Sequence, residues 1–151
     1  MIWKPNVIVA SLVELDGKFL MVEEESPTGA VLNQPAGHLE VNESLEDAVV
    51  RETLEETGYA FTATAIVGSY LWHNDANETT YFRTTFLGTV GAANEAAILD
   101  NGIIRALWMT YDEISASKDR LRTPVILESL NDYLAGKRYS LDMIKSYLNG
   151  P

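Results

Sequence analysis

Apolar and polar positions along the chain alternate or run together in stretches that predict β-strands. These stretches are residues 7–14, 19–23, 59–72, 79–90 and 103–109. Asp16-Gly17 separates the first two and is typical of the tight turn in a β-hairpin. Residues 73–77 are rich in Asn and Asp and predict the turn between the two longest strands.

Helical spacing replaces the strand pattern between residues 44 and 58. Ser44 can cap a helix N-terminus, and Asp47 three residues later completes a pair like a capping box. Gly58 suits the left-handed conformation in which many helices end. We therefore predict a loop that starts at Gly37, then one helix, then a stop.

Weaker signals predict further helices after residue 109. Thr110 and Glu113 form a second capping-box pair ahead of a short helix. Pro124 and Gly136 bound another helix, because Pro suits the first helical position and Gly the exit. Residues 141–148 predict a last helical piece.

The apolar side of the helix that starts after Ser44 carries acidic residues. Glu52, Glu55 and Glu56 fall at i, i+3 and i+4, and they share a face with Ala48 and Val49. Solvated glutamates usually lie on the polar side of a helix, away from the core. Clustered and partly desolvated carboxylates repel one another and have raised pKa values unless a cation joins them. Oxygen ligands suit Mg²⁺ or Mn²⁺, so the pattern predicts a divalent metal site.

Seven residues around this helix stand at fixed intervals. They are Gly37, Glu43, Arg51, Glu52, Glu55, Glu56 and Gly58. The spacing matches the Nudix box, Gly-x5-Glu-x7-Arg-Glu-U-x-Glu-Glu-x-Gly-U, where U is bulky and apolar; chance would produce it on the order of once in a million chains. The chain therefore resembles the Nudix hydrolase superfamily. Thr53 departs from the first U position, a change that bears on local packing.

Other stretches extend the resemblance toward the NudJ-type phosphatase branch of the superfamily. They are residues 4–10, 33–40 and 138–144, so the resemblance covers most of the chain. Pro35-Ala36-Gly37-His38 stands where many Nudix proteins have Pro-Gly-Gly, as in the NudJ type.

The expected fold class is α/β. The mixture of strands and helices predicts a mixed β-sheet between helices, and the resemblance implies a Nudix-type α/β/α sandwich with the box as a loop-helix-loop. Repeats, low-complexity tracts and linkers are absent from the sequence, so residues 1–151 are expected to form a single domain.

The resemblance implies Mg²⁺-dependent hydrolysis of small organic pyrophosphates. For the NudJ type, the expected activity is a permissive nucleoside tri- and diphosphatase that releases orthophosphate and also accepts a pyrimidine pyrophosphate precursor of thiamine. Alternatives are hydrolysis of ADP-ribose or dinucleoside polyphosphates, or a non-catalytic Nudix-fold nucleotide sensor. An acidic surface helix in an interaction protein is the interpretation that requires an accidental match.

The resemblance also assigns roles around the expected metal. Glu55 and Glu56 are expected ligands, Glu52 is a ligand or the general base, and the Ala36 backbone carbonyl joins them. Arg51 beside the cluster and Glu43 at the start of the helix are expected to orient these ligands. Many Nudix enzymes use a further acid outside the box. The candidates here are Glu78, Glu95 and Asp100.

Candidate substrate-binding residues lie outside the box helix. They are His38, which can contact phosphate; Arg83, which can do the same; and the aromatic residues Trp72, Tyr81 and Phe86, which can stack on a heteroaromatic ring. Aromatic residues on strands more often belong to a core, and His38 can equally be a surface residue. For Arg83, a role in balancing surface acidity is the favoured interpretation, and His73 is interpreted as a turn residue.

The charge balance narrows the class of partner. The net charge is −11, from 22 acidic and 11 basic residues. This disfavours a nucleic-acid polymer, because Lys and Arg contacts to phosphates dominate such affinity. A small phosphorylated substrate stays compatible, since a bound divalent metal reverses the local potential. A monomer or homodimer is expected.

Composition bears on the compartment. The chain has no cysteine, which rules out disulfides and cysteine-ligated zinc and is compatible with the cytoplasm. Apolar runs fall short of the roughly 20 residues that span a membrane. Lys4-Pro5-Asn6 interrupts the early apolar segment, so neither a membrane segment nor a signal peptide is expected.

Overall fold

A computed structural model describes residues 1–148. The strands are β1 (Asn6–Leu12), β2 (Glu14–Leu15), β3 (Lys18–Ser26), β4 (Gly29–Asn33), β5 (Ala36–His38), β6 (Tyr59–Asn74), β7 (Thr79–Ala93) and β8 (Ile103–Thr110). The helices are α1 (Leu45–Thr57), α2 (Tyr111–Ala116) and α3 (Val125–Leu134), with short 3-10 helices at Lys118–Arg120 and Leu141–Met143. Within this part of the chain, no helix combines the length and apolar character that a membrane crossing requires.

The strands form two four-stranded sheets. The first has the order β5-β1-β7-β6 and is mixed. In it, β1 runs parallel to β7, whereas the β1–β5 and β6–β7 pairs are antiparallel. In the second sheet, β3 pairs with β2, β4 and β8. The predicted α/β class with a mixed sheet is therefore confirmed.

The turn predicted at Asp16-Gly17 forms with both residues at positive φ, 51° and 78°. These angles match the type I′ turn, whose twist fits that of a β-hairpin. The hairpin joins β2 to β3. The preceding strand, β1, belongs to the first sheet, where it pairs with β5 and β7.

Two buried clusters hold the layers together. One joins α1 to the first sheet, through Ala48 and Val49 of the helix and Val9 and Phe86 of the strands. The other joins α2 and α3 to the second sheet; its members include Phe19, Met21, Leu32, Ile114, Ile126 and Leu130. The sheets thus lie between α1 on one side and the two later helices on the other.

The helix-start and helix-stop signals operate as predicted around α1. The Ser44 Oγ accepts a hydrogen bond from the Asp47 backbone N–H at 3.1 Å, and Gly58 adopts φ 76° at the C-terminus. Thr110 and Glu113 form the full reciprocal capping box of α2. Both signals act through backbone groups within a few residues, which is why the sequence alone predicts them.

The helical piece predicted at residues 141–148 is wrong beyond its first turn. Only Leu141–Met143 is helical, and as a 3-10 turn. The cause is a tertiary anchor, because Tyr139 and Ile66 exchange two backbone hydrogen bonds of 2.8 Å at the edge of β6. Leu141 and Ile144 then pack on the cluster around α1, so the segment follows the surface of the molecule.

Candidate active site

Two residues of the box, one on β5 and one on α1, are in contact. The carboxylate of Glu52 lies against Gly37, and a Cβ added to this glycine would stand 2.2 Å from Glu52 Cδ. Real Cβ atoms do not approach other heavy atoms so closely. A glycine is therefore required for the carboxylate to occupy this position.

The Arg51 side chain is the centre of an ionic network. Its Nε and Nη2 donate to the two oxygens of Glu43, at 3.0 and 2.6 Å. Its Nη1 donates to Glu52 Oε1 at 2.7 Å and to Glu55 Oε2 at 3.2 Å. The Nη2 also donates to the His38 carbonyl oxygen, at 3.1 Å. One guanidinium thus donates hydrogen bonds to three carboxylates, pairs with a fourth at Glu40 (3.5 Å), and ties α1 to the loop before it.

Three carboxylates converge beside this arginine. Oxygens of Glu52, Glu55 and Asp100 all lie within 4.8 Å of one another. Asp100 is placed by its own backbone N–H, which donates to the Glu55 carbonyl oxygen at 2.9 Å. An acid from the loop before β8 therefore joins two acids of the helix.

Glu56 takes a different position from the three-carboxylate group. It is 8% exposed, and its Oε1 accepts a hydrogen bond from the Ala36 backbone N–H at 2.8 Å. Glu52 is 9% exposed, so two of the three predicted acids of α1 face inward. Glu56 thus connects α1 to β5, at the residue whose carbonyl the family resemblance assigns to the metal.

Burial dominates the protonation of the helix acids. It raises the pKa of Glu56 to about 9 and also raises the pKa values of Glu52 and Glu55. The pKa of Glu43 is lowered instead, because Arg51 donates hydrogen bonds to its charged form. Raised pKa values are expected of desolvated carboxylates that lack a neutralising cation.

The donor set fits a hard divalent cation. The Glu52, Glu55 and Asp100 oxygens, with Glu56 nearby, form an all-oxygen group of the kind that Mg²⁺ and Mn²⁺ prefer. Nitrogen and sulfur ligands are absent from the group, which disfavours zinc.

A cleft of about 600 Å³ opens beside the box. Ala36 and Gly37 line it at the end next to the box, and Asp119, Leu121, Arg122 and Thr123 line it from the side of the second sheet. Four of the five candidate substrate-binding residues also line it: His38, Trp72, Tyr81 and Arg83. Trp72 and Tyr81 stack with ring centroids 5.7 Å apart and planes at 21°.

Arg83 does not balance the acidic surface, and that favoured interpretation is wrong. The residue is 6% exposed, and its Nη2 donates to Asn33 Oδ1 at 3.2 Å and to Gln34 Oε1 at 3.0 Å. A buried guanidinium cannot neutralise acids that face solvent. Its burial lowers the pKa of Arg83 to about 10.

The remaining candidates lie away from the carboxylates. Phe86 is in the core and is not available for stacking. Glu78 and Glu95 are exposed on loops and lie outside the three-carboxylate group. His73 falls at the end of β6, where its Nδ1 lies 2.9 Å from Thr80 Oγ1, and not within the turn itself.

Two further residues of the cleft carry no sequence signal. Glu24 Oε1 accepts a hydrogen bond from Asn33 Nδ2 at 3.1 Å and lies 3.5 Å from Arg122 Nη1. Glu24 and Arg122 both line the cleft. They are almost 100 residues apart and belong to no motif, so only the tertiary structure brings them together.

Comparisons with known proteins agree with this geometry. The NUDIX domain family model matches residues 3–130. Phosphatase NudJ of Escherichia coli (strain K12) is 36% identical over 145 residues, which cover 96% of this chain and 94% of that protein; the Shigella flexneri phosphatase NudJ gives the same values.

Solved structures extend the comparison. A NUDIX hydrolase from Nitrosomonas europaea is 47% identical, with a TM-score of 0.95 over 97% of this chain and 100% of that one. The MutT protein from Methanosarcina mazei Go1, 22% identical with a TM-score of 0.73 over 91% of this chain and 99% of that one, shows the shared fold alone. With the box residues assembled as described, the chain belongs to the Nudix family and is a hydrolase.

Proposed function

We propose that the protein hydrolyses phosphoric anhydride bonds of small organic pyrophosphates with Mg²⁺, or with Mn²⁺ in its place. The most suitable substrates are nucleoside tri- and diphosphates, with release of orthophosphate. The observation that carries the proposal is the group Glu52, Glu55 and Asp100. Its Glu52 carboxylate lies against Gly37, and Gly37 lines the cleft. The similarity to proteins named phosphatase NudJ supports it over nearly the whole chain.

The residues that would hold the cation are Glu52, Glu55, Glu56, Asp100 and the Ala36 carbonyl. A bound divalent ion neutralises phosphate oxygens and lowers the pKa of water. Arg51 keeps Glu52 and Glu55 oriented, since it donates to both. The carboxylates titrate as a coupled set, and Glu52, which contacts the cleft-lining Gly37, would either hold the cation or accept the proton of an attacking water.

The spacing of residues on the first sheet supports release of the terminal phosphate. Tyr81 and Thr85 lie on the same face of β7, and Thr85 pairs through Ala10 with Ala36. Four residues of strand separate the two rows, about 13 Å at roughly 3.3 Å per residue. A ring stacked at Tyr81 would direct its sugar and phosphate chain along this sheet toward Ala36.

A substrate panel tests the proposal. Nucleoside tri- and diphosphates, ADP-ribose and dinucleoside polyphosphates are incubated with Mg²⁺, and orthophosphate is measured against pyrophosphate. Turnover of several nucleoside triphosphates to orthophosphate is the expected result. Pyrophosphate as the sole product would move the cleavage site to the inner bond, and the absence of turnover across the panel would favour a nucleotide sensor.

A further inference from the structure

Arg83 is buried in the wall of the cleft with unused hydrogen-bond donors. Its Nη2 serves Asn33 and Gln34, while its Nε is buried without a partner among residues 1–148. Its Nη1 makes none of the hydrogen bonds found among residues 1–148 and, unlike Nε, is not a fully buried atom without a partner, so it is the nitrogen that keeps access to the cleft. A guanidinium carries five N–H groups, and leaving them unpaired in a buried setting is unfavourable. Within this wall, Nη1 is therefore the Arg83 donor that a ligand acceptor can reach.

A second guanidinium reaches the same cleft from the opposite sheet. The backbone N–H of Arg122 donates to the Leu32 carbonyl oxygen at 2.9 Å, which fixes this residue beside β4. Its side chain is half-exposed and lines the cleft. Arg83 on β7 and Arg122 thus come from two separate elements and face one space.

Glu24 connects the two arginines. Its Oε1 lies 3.5 Å from Arg122 Nη1 and accepts from Asn33 Nδ2 at 3.1 Å. With its amide nitrogen directed to Glu24, Asn33 turns its oxygen to Arg83 Nη2. One carboxylate therefore contacts one guanidinium and orients the amide that holds the other.

Arg83 also occupies an intermediate position along the sheet. On β7 it lies two residues from Tyr81 of the aromatic pair and two residues from Thr85, the row that leads to Ala36. Because alternate residues of a strand share a face, Arg83 lies between the aromatic pair and the metal end. A ring-bearing phosphate ester that spans the cleft has its inner phosphate in this interval.

We propose that Arg83 and Arg122 bind the phosphate next to the ring-bearing group of the substrate, the phosphate that is not released, and that Glu24 positions both arginines. The proposal rests on the proposed function for the direction in which the substrate lies. Paired arginines suit phosphate because their planar N–H groups match two of its oxygens.

The test compares the binding of a nucleoside 5′-monophosphate with that of the same nucleoside, by calorimetric titration. A monophosphate has no anhydride bond, so the measurement does not depend on hydrolysis and fails or succeeds separately from the substrate panel. Titrations are made in Mg²⁺ buffer and again with a chelator. We expect the monophosphate to bind about tenfold more tightly or better in both, as charge-assisted hydrogen bonds provide.

Substitutions identify the residues responsible for the tighter binding of the monophosphate. Arg122 is half-exposed, so Arg122→Gln should fold normally. It should remove most of the affinity that the phosphate group adds and leave nucleoside binding unchanged. Arg83→Gln should remove it as well, with its fold checked by thermal unfolding. Arg105→Gln is the matched control, because Arg105 pairs with Glu23 and lies outside the cleft lining.

Glu24→Gln gives the result that separates positioning from a purely structural role. Glutamine keeps an oxygen that accepts from Asn33 but loses the charge that pairs with Arg122, so monophosphate affinity should fall about twofold to fivefold while nucleoside binding stays unchanged. Glu25→Gln on the exposed side of β3 should have no effect. Unchanged or higher monophosphate affinity in Glu24→Gln would contradict the positioning role of Glu24.

Other outcomes would overturn the proposal directly. They are equal binding of nucleoside and monophosphate, a phosphate gain that disappears with the chelator, and a gain that Arg105→Gln lowers as much as Arg122→Gln does. Arg83→Gln could instead keep the affinity that the phosphate group adds and lose the ability to discriminate between nucleosides with different rings. That result would assign Arg83 to the edge of the ring.

Discussion

The Glu52 carboxylate lies against the Cα of Gly37, in a space that any side chain on residue 37 would fill. This contact joins the helix that carries the acids to the strand that borders the cleft. It explains why the box begins with a glycine well before its first helical acid. The positions of Gly37 and Glu52 are therefore constrained together.

The first prediction is that Gly37→Ala lowers kcat at least a hundredfold. The new Cβ displaces the Glu52 carboxylate, while the free energy of unfolding falls by only about 1–3 kcal/mol because a side-chain end can move. Turnover of a nucleoside triphosphate and denaturant unfolding are measured together. Gly91→Ala is the control, since a Cβ there contacts nothing within 4 Å. Normal turnover in Gly37→Ala would contradict the role given to Glu52.

The second prediction distinguishes the acids outside the box. Asp100→Asn removes one oxygen ligand of the three-carboxylate group, so half-maximal activity should require about 10- to 100-fold more Mg²⁺. Glu78→Gln and Glu95→Gln are matched controls from exposed loops and should titrate with Mg²⁺ like the unmodified protein. An unchanged Mg²⁺ requirement in Asp100→Asn would remove Asp100 from the metal group.

The third prediction is that Glu56→Gln lowers the rate by orders of magnitude and preserves the fold. Glutamine keeps an acceptor for the Ala36 N–H, so the link between α1 and β5 survives. The ligand charge is lost, and with it the expected contribution to metal binding. Steady-state turnover and circular dichroism provide the two measurements. Turnover near that of the unmodified protein would argue against Glu56 in the site.

A fourth prediction concerns stability against pH without metal. Burial raises the pKa of Glu56 to about 9 from the ordinary 4.5. Between these values the folded protein holds a proton that the unfolded chain releases, so the free energy of unfolding falls as the pH rises from 5 to 9. Glu56→Gln cannot titrate and should show a flatter profile. Urea unfolding in chelator across this range tests it, and parallel curves for the two proteins would refute it.

The fifth prediction concerns Thr53, which departs from the box pattern at a position expected to be apolar. Its Oγ1 donates to the Val49 carbonyl oxygen at 2.7 Å and lies 2.9 Å from the Oγ of Ser11, and both side chains are buried. Thr53→Val should cost about 1–3 kcal/mol, because Ser11 loses its partner. Adding Ser11→Ala should recover much of this loss. Additive losses in a double-mutant cycle would show that the pair is not coupled.

Local signals made much of the fold predictable. The caps of α1 and α2, the turn at Asp16-Gly17 and the alternation along β6 and β7 act within a few residues, so residue identity alone indicates them. The last helical piece failed for the complementary reason. Tyr139, two residues before this piece, pairs with Ile66 more than 70 residues earlier, and this contact overrides local helical preference.

The sequence by itself determined the family, the helix that carries the acids and the inward direction of Glu52 and Glu56, because a fixed spacing on one helix places side chains on a fixed face. Only the tertiary structure showed that Asp100, of the three candidate acids outside the box, lies with the acids of the helix. It also showed that Arg83 is buried and that Glu24 lies next to Arg122. Those arrangements depend on how strands pair and loops return. Pairing between distant segments is decided by packing of the whole chain, so it leaves no local pattern of residues.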